Sequence, residues 1–234
     1  MKILGLIPAR GGSKGIPGKN IKPLLGKPLM AYTFDSAKNS KHLAKLVLSS
    51  DDSQIIEVAK EIGLEVPFVR PAELATDSSP TLLVILHALQ FFRERGEHFD
   101  AVCLLQLTSP FRRPGMIDEA IRKFVSSGSD SLVSVLPVPH EYNPHWVFEV
   151  TKDGFLTIAT GEKNLISRRQ ELPEAFYRDG AIYLTKTKVL IDQKSLYGNS
   201  ITYIMGDLDR HVNLDTHQDW EKAEQLVKIL FPEV

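Results

Sequence analysis

Between Pro8 and Asn20 the chain sets four glycines, one arginine and two lysines in the run Pro8-Ala9-Arg10-Gly11-Gly12-Ser13-Lys14-Gly15-Ile16-Pro17-Gly18-Lys19-Asn20. Glycines at this density let a loop turn its backbone N–H groups inward as an anion nest, and Arg10, Lys14 and Lys19 can neutralise a polyphosphate. The spacing is not that of a Walker A loop, because Asn20 follows Gly18-Lys19 and Ser13 stands five residues before Gly18; the G-x-G-x-x-G order of dinucleotide folds is also missing. Taken alone, such a stretch could equally be a surface turn. Its position directly after the apolar run Ile3 to Ile7 favours phosphate binding.

Other polar residues capable of chemistry also follow apolar runs. Asp51 and Asp52 come after Leu46 to Ser49, Arg70 after Val66 to Val69, and Gln106, Thr108 and Ser109 lie at the end of Val102 to Leu107. In an open parallel sheet, ligands gather beyond the carboxyl ends of the strands, which is where these residues would stand. A fifth candidate strand is Leu132 to Leu136. Stretches with helical spacing, Met30 to Asn39, Ser53 to Ile62, Thr81 to Arg95 and Met116 to Val125, separate the strands. Continuous apolar strands alternating with helices predict a parallel sheet covered on both faces. Asp52-Ser53 and Ser79-Pro80 supply helix-start signals, and Gly63 and Gly96 supply stops.

From Val138 to Tyr177 the alternation fails. Trp146, Val147, Phe148 and Phe155 give this excursion an apolar surface that needs covering, and Asp153-Gly154 predicts a hairpin turn. Regular structure is expected to resume at Ala181 to Leu184 and Ile201 to Met205 and to end in an amphipathic helix from about Thr216 to Leu230. Thr216 and Asp219 form an approximate capping box at its start.

Composition narrows the function classes. The 28 basic and 29 acidic side chains leave a net charge of -1, which lacks the electrostatic footprint of a nucleic-acid binder. Cys103 is the single cysteine and sits in an apolar run, so neither a disulfide framework nor a cysteine zinc site can be built. His140, His145, His211 and His217 have no helical i, i+4 pair and make a poor zinc site. The apolar start Met1 to Pro8 is too short for a signal h-region, and no run approaches the ~20 residues of a membrane span. A cytoplasmic protein with no membrane partner is the expectation.

The run Ile7 to Asn20 resembles the signature of the acylneuraminate cytidylyltransferases, the CMP-sialic acid synthetases. Arg70-Pro71-Ala72-Glu73-Leu74-Ala75 is similar to that family's second motif. Leu105 through Arg112 is similar to its third, and Phe176 through Gly180-Ala181-Ile182-Tyr183 to its fourth; Asn213-Leu214-Asp215-Thr216 extends the correspondence over nearly the whole chain. The resemblance implies an α/β, Rossmann-like doubly wound, mainly parallel sheet of the nucleotide-diphospho-sugar transferase type. It implies a nucleotidyltransferase domain formed by residues 1–137 and 178–234, interrupted by a dimerisation and sugar-site excursion at 138–177. It also implies a homodimer.

The site residues carried over by the resemblance are Arg10, Gly11, Gly12, Ser13, Lys19, Asn20, Arg70 and Thr81 for the nucleotide, here CTP. Gln106, Thr108, Arg169, Asp179 and Tyr183 would surround the sugar acid, and Arg10, Lys19 and Asp215 would carry catalysis. A planar guanidinium suits Arg169 to a sugar carboxylate. Asp215 would help hold Mg²⁺, which prefers few carboxylates plus water and substrate phosphates. Asn213 departs from the pattern, since many relatives carry a second aspartate there and an amide oxygen is a weaker ligand; Asp207 and Asp209 are candidates to compensate. The implied reaction is attack of the anomeric hydroxyl of a sialic-acid-like 2-keto sugar acid on the α-phosphorus of CTP, giving a CMP-sugar and pyrophosphate. Legionaminate, pseudaminate or a Kdo-type sugar are alternative acceptors. A non-catalytic nucleotide-binding dimer is the alternative from another class.

Overall fold

The computed structural model describes residues 1–232. In chain order its regular elements are β1 (Ile3–Pro8), β2 (Pro23–Leu24), β3 (Lys27–Pro28), α1 (Leu29–Ala37), β4 (Lys45–Ser49), α2 (Ser53–Glu61), α3 (Thr81–Arg93), β5 (Ala101–Leu104), α4 (Met116–Ser127) and β6 (Ser131–Pro137). They continue with β7 (Phe148–Val150), β8 (Leu156–Ile158), β9 (Phe176–Lys186), β10 (Ile201–Met205) and α5 (His217–Leu230). The central sheet runs β10-β6-β9-β5-β1-β4.

The apolar run of β1 is buried on both faces because strands flank it on either edge and helices cover it. It pairs in parallel with β4, Gly5 opposite Leu46, and with β5, Gly5 opposite Cys103. The sheet is mixed, since β9 runs antiparallel to β5 with Tyr183 opposite Leu104. The expected strand Val66 to Val69 is reduced to parallel bridges at Glu65 and Val69. Pro67 lies between them and has no N–H to give a ladder.

Helix ends follow local chemistry in two cases out of three. Asp52 accepts from Ile55 N–H at 3.0 Å and caps α2, and Thr216 with Asp219 forms a full capping box on α5. Ser79 does not cap α3, whose N-terminal flank is Pro80. Its hydroxyl instead donates to the Glu73 carbonyl at 2.9 Å. A second apolar cluster gathers Ile16, Leu29, Tyr32, Phe111, Leu214 and Trp220, and so ties the glycine-rich loop and the segment before α5 to one another.

The chain divides into two compact units, residues 1–134 with 179–234, and residues 135–178. In the smaller unit, β7 and β8 form the antiparallel hairpin expected at Asp153-Gly154, with Gly154 at φ +81°. Phe148, Val150, Phe155 and Leu156 are exposed on it. Among the described residues no helix is long and apolar enough to cross a membrane.

Candidate functional site

A cleft of about 620 Å³ opens at the carboxyl ends of β1 and β5. Arg10, Ser13, Lys19, Asn20, Arg70, Thr81, Gln106, Thr108 and Asp215 all line it. This volume lies in the range of small-molecule sites. Residues as distant in sequence as Arg10 and Asp215 meet here because the glycine-rich loop, the loops after the strands and the entry to α5 converge on one edge of the sheet.

The glycine-rich loop is fixed from both sides. Ile16 is fully buried, Asn20 donates from Nδ2 to the Arg10 carbonyl at 2.9 Å, and Gly12 and Gly18 take φ of +66° and +63°. The N–H of Gly11 donates to Asp51 Oδ1 at 3.1 Å, so it is committed to the protein and is not free for an anion nest. Gly12 is exposed in the same loop and does not itself line the cleft. Gly15 packs so closely on the chain before α5 that a Cβ there would lie 2.1 Å from the Asp215 carbonyl oxygen.

Lys19 is buried, and its Nζ donates to the Leu214 carbonyl and reaches Asp215 Oδ1 at 3.3 Å. Leu214 N–H in turn donates to the Thr108 carbonyl at 2.9 Å, which sets Thr108, Lys19 and Asp215 side by side. Arg70 is 4% exposed, donates to the Ser49 carbonyl, and has a buried Nε with no partner among the described residues. Burial pulls its pKa down and the like charge of Arg10 adds to this, while Asp51 opposes both. A buried guanidinium with a donor unused at the wall of a cleft is suited to a ligand acceptor.

Gln106 is held through its backbone. Its carbonyl accepts from Arg112 Nη2 at 2.7 Å, and the same buried guanidinium donates to Ala181 O and, at 3.0 Å, to Thr33 Oγ1. Arg112 thus clasps α1, β9 and the end of β5 together. Burial lowers its pKa to about 10, still high enough for it to be charged at neutral pH.

Of the expected sugar contacts, Asp179 and Tyr183 lie away from the cleft lining within the larger unit, and Arg169 is in the smaller one. Asp179 is buried within β9, and its Oδ1 accepts from Ser134 Oγ and from Ala181 N–H at 2.9 Å, so that oxygen is committed to the sheet. Tyr183 is buried within β9. Arg169 belongs to the smaller unit, where it lines an open hollow with His140 and Trp146 while Arg168 pairs with Glu171 at 3.6 Å.

For a metal, the cleft offers Asp215, whose side chain is 61% exposed, with Asn213 Nδ2 donating to its Oδ2 at 2.6 Å. Asp207 points to Arg113 at 3.6 Å and does not line the cleft, and neither does Asp209. No cluster of three or more metal-ligating side chains occurs among the described residues. Asp215, the more exposed of the two carboxylates in the cleft and set beside the basic glycine-rich loop, nonetheless fits Mg²⁺, which takes most of its ligands from water and substrate phosphate.

Residues the sequence did not single out also line this cleft, notably Thr76 and Asp77, together with Ser79, which was expected only as a helix cap. Asp77 binds Arg10 at 2.5 Å and also Lys14. The only hint of it in sequence is the polar Thr76-Asp77-Ser78-Ser79 turn before a helix.

Comparison with known proteins accords with this geometry. Residues 4–230 match the family described as cytidylyltransferase. The chain is 36% identical over 230 residues to a CMP-N,N'-diacetyllegionaminic acid synthase of Legionella pneumophila, covering 98% of this chain and 97% of that protein. It is 34% identical to a pseudaminic acid cytidylyltransferase of Campylobacter jejuni, with the same coverage. The fold superposes with a TM-score of 0.73 on a CMP:2-keto-3-deoxy-manno-octonic acid synthetase complexed with CTP, at 16% identity and covering 99% of this chain and 100% of that one. The mostly parallel mixed sheet, the glycine-rich loop at its edge and these matches along nearly the full chain agree: the protein is a nucleotidyltransferase and belongs to the cytidylyltransferase family.

Proposed function

We propose that this protein transfers CMP from CTP to a nine-carbon 2-keto sugar acid, with release of pyrophosphate. The observation that carries the proposal is the convergence of Arg10, Lys19 and Arg70 with Asp215 in one cleft at the carboxyl edge of the sheet. Three cations suit a triphosphate, and Asp215, the more exposed carboxylate of the cleft, suits its metal.

In this reading Arg10 and Lys19 hold the phosphates, and Arg70, Ser13, Asn20 and Thr81 complete the nucleotide pocket. Gln106 and Thr108 flank the position of the acceptor. The anomeric oxygen bonds to the α-phosphorus, the bond from the α-phosphorus to the bridging oxygen breaks, and the hydroxyl proton passes to solvent or phosphate. Catalysis then rests on alignment and on Arg10 and Lys19 opposing the charge that builds on the phosphate oxygens. Asp215, with Asn213 beside it, would hold Mg²⁺, which would supply further neutralisation of the phosphate charge.

The relatives matched over 97% of their own length, at 36% and 34% identity, support a legionaminate- or pseudaminate-type acceptor. We further propose a homodimer formed through the exposed apolar hairpin β7–β8, supported by Val150 and Phe155 being 73% and 72% exposed. Pyrophosphate release is the direct test, measured with CTP, magnesium and a panel of legionaminate, pseudaminate, sialic acid and Kdo. Turnover with the first or second at a higher kcat/KM than with the others is expected. CTP binding without turnover of any acceptor would favour a non-catalytic protein.

A further inference from the structure

Among the described residues, Asp77 and Asp215 are the two carboxylates that line the cleft. Asp215 has its place in the proposed reaction, and Asp77 has none. Both oxygens of Asp77 are used: Oδ1 pairs with Arg10 Nη2 at 2.5 Å and Oδ2 with Lys14 Nζ. These are two of the three cations that the glycine-rich loop brings.

Asp77 is presented on a small turn that closes on itself. Ser79 N–H donates to the Thr76 carbonyl at 3.2 Å, Thr76 N–H donates to Ser79 Oγ at 3.1 Å, and Ser79 Oγ is anchored on Glu73. The turn needs neither Arg10 nor Lys14 for its own shape. Hydrogen bonds from Lys14 and Arg10 hold the Asp77 carboxyl below the usual carboxylate range. With the Asp77 side chain 41% exposed and that of Lys14 80% exposed, the pairs are open to water and exchangeable.

We propose that Asp77 is an internal counter-anion of the phosphate loop, seated on Arg10 and Lys14 before CTP binds, displaced by the triphosphate and restored as pyrophosphate leaves. The proposal rests on the reading that this loop takes the triphosphate. A ligand must bring enough negative charge to replace a carboxylate on two cations at once, so the exchange favours a polyphosphate over a nucleoside monophosphate. It also lowers the affinity for departing pyrophosphate, because the loop always has a competing anion within reach. Asp77 would therefore set selectivity and release without touching the reacting atoms.

The test is Asp77→Asn, which keeps the side-chain shape and removes the charge, with Asp77→Ser as a second variant and circular dichroism as the check on folding. Isothermal titration with CTP and magnesium, with inorganic pyrophosphate and with CMP gives the readout. Loss of two exposed ion pairs predicts roughly two- to tenfold tighter CTP and pyrophosphate binding and less than twofold change for CMP. Unchanged or weaker CTP and pyrophosphate binding by both folded variants would overturn the proposal, weaker binding meaning that Asp77 holds Arg10 in position for the ligand. Failure of the unaltered protein to bind CTP would instead overturn the phosphate-loop reading beneath it.

Discussion

Gly15→Ala is the substitution that probes the site most sharply, because the residue contacts no ligand in the proposed reaction and acts only through backbone packing. A Cβ at position 15 would stand 2.1 Å from the Asp215 carbonyl oxygen and 3.3 Å from its carbonyl carbon. The obstacle is backbone, which cannot rotate aside, so the loop and the segment before α5 must part by about 0.9 Å to restore a 3.0 Å contact. That movement separates Lys19 from Leu214 and Asp215, and shifts the cations proposed for the phosphates against the carboxylate proposed for the metal. A misplacement of about 1 Å can cost about 10²-fold in rate, and overpacking of this kind costs about 1–3 kcal/mol in stability. Gly12→Ala is the matched control: Gly12 has φ +66°, but a methyl group there would meet nothing within 4 Å, so the substitution brings only left-handed strain of about 1–2 kcal/mol. Steady-state pyrophosphate release and thermal unfolding should show Gly15→Ala losing roughly 10²-fold in kcat/KM, well beyond Gly12→Ala. A kcat/KM for Gly15→Ala within about threefold of the unaltered protein would refute the claim that this contact sets the site geometry.

Arg10→Ala should lower turnover at saturating CTP by roughly 10²–10³-fold, as expected for loss of an electrostatic transition-state donor; a change below about threefold removes that role from Arg10. Arg112→Met should destabilise the fold by at least about 3 kcal/mol, because it strands the buried acceptors Ala181 O, Gln106 O and Thr33 Oγ1, and a denaturant midpoint within error of the unaltered protein would contradict the clasp. Stability should also depend on pH through His87 and His211, whose pKa values burial lowers. The unfolded chain takes up these protons first, so the contribution is complete above about pH 6.5 and is lost as pH falls below it. Guanidinium unfolding at about pH 7.5 and 5.5 reads this window, which lies above that of the carboxylates, and equal midpoints would count against it.

The amino-acid sequence was sufficient wherever the deciding interactions are local. The Asp52 cap, the Thr216 and Asp219 box and the hairpin at Gly154 each depend on residues a few positions apart, and each is found as expected. Family motifs likewise identified the cleft residues from Arg10 to Asp215, since their order along the chain survives without any knowledge of packing. The sequence misjudged Val66 to Val69, where Pro67 breaks the ladder, and Ser79, whose hydroxyl turns back to Glu73.

Only the tertiary structure decided what each polar residue faces. Asp179 precedes a glycine and Asp77 a serine, yet one is bound through Oδ1 by Ser134 and Ala181 within the sheet and the other sits on Arg10 and Lys14. Arg112 and Arg70 are both buried arginines, but one is engaged as a clasp while the other keeps a buried Nε with no partner among the described residues. Gly15 reads as another flexible glycine until Asp215, far along the chain, is laid against it. Caps and turns are settled by neighbours along the chain, whereas the partner of a long charged side chain is settled by whichever distant group packing brings within about 3 Å.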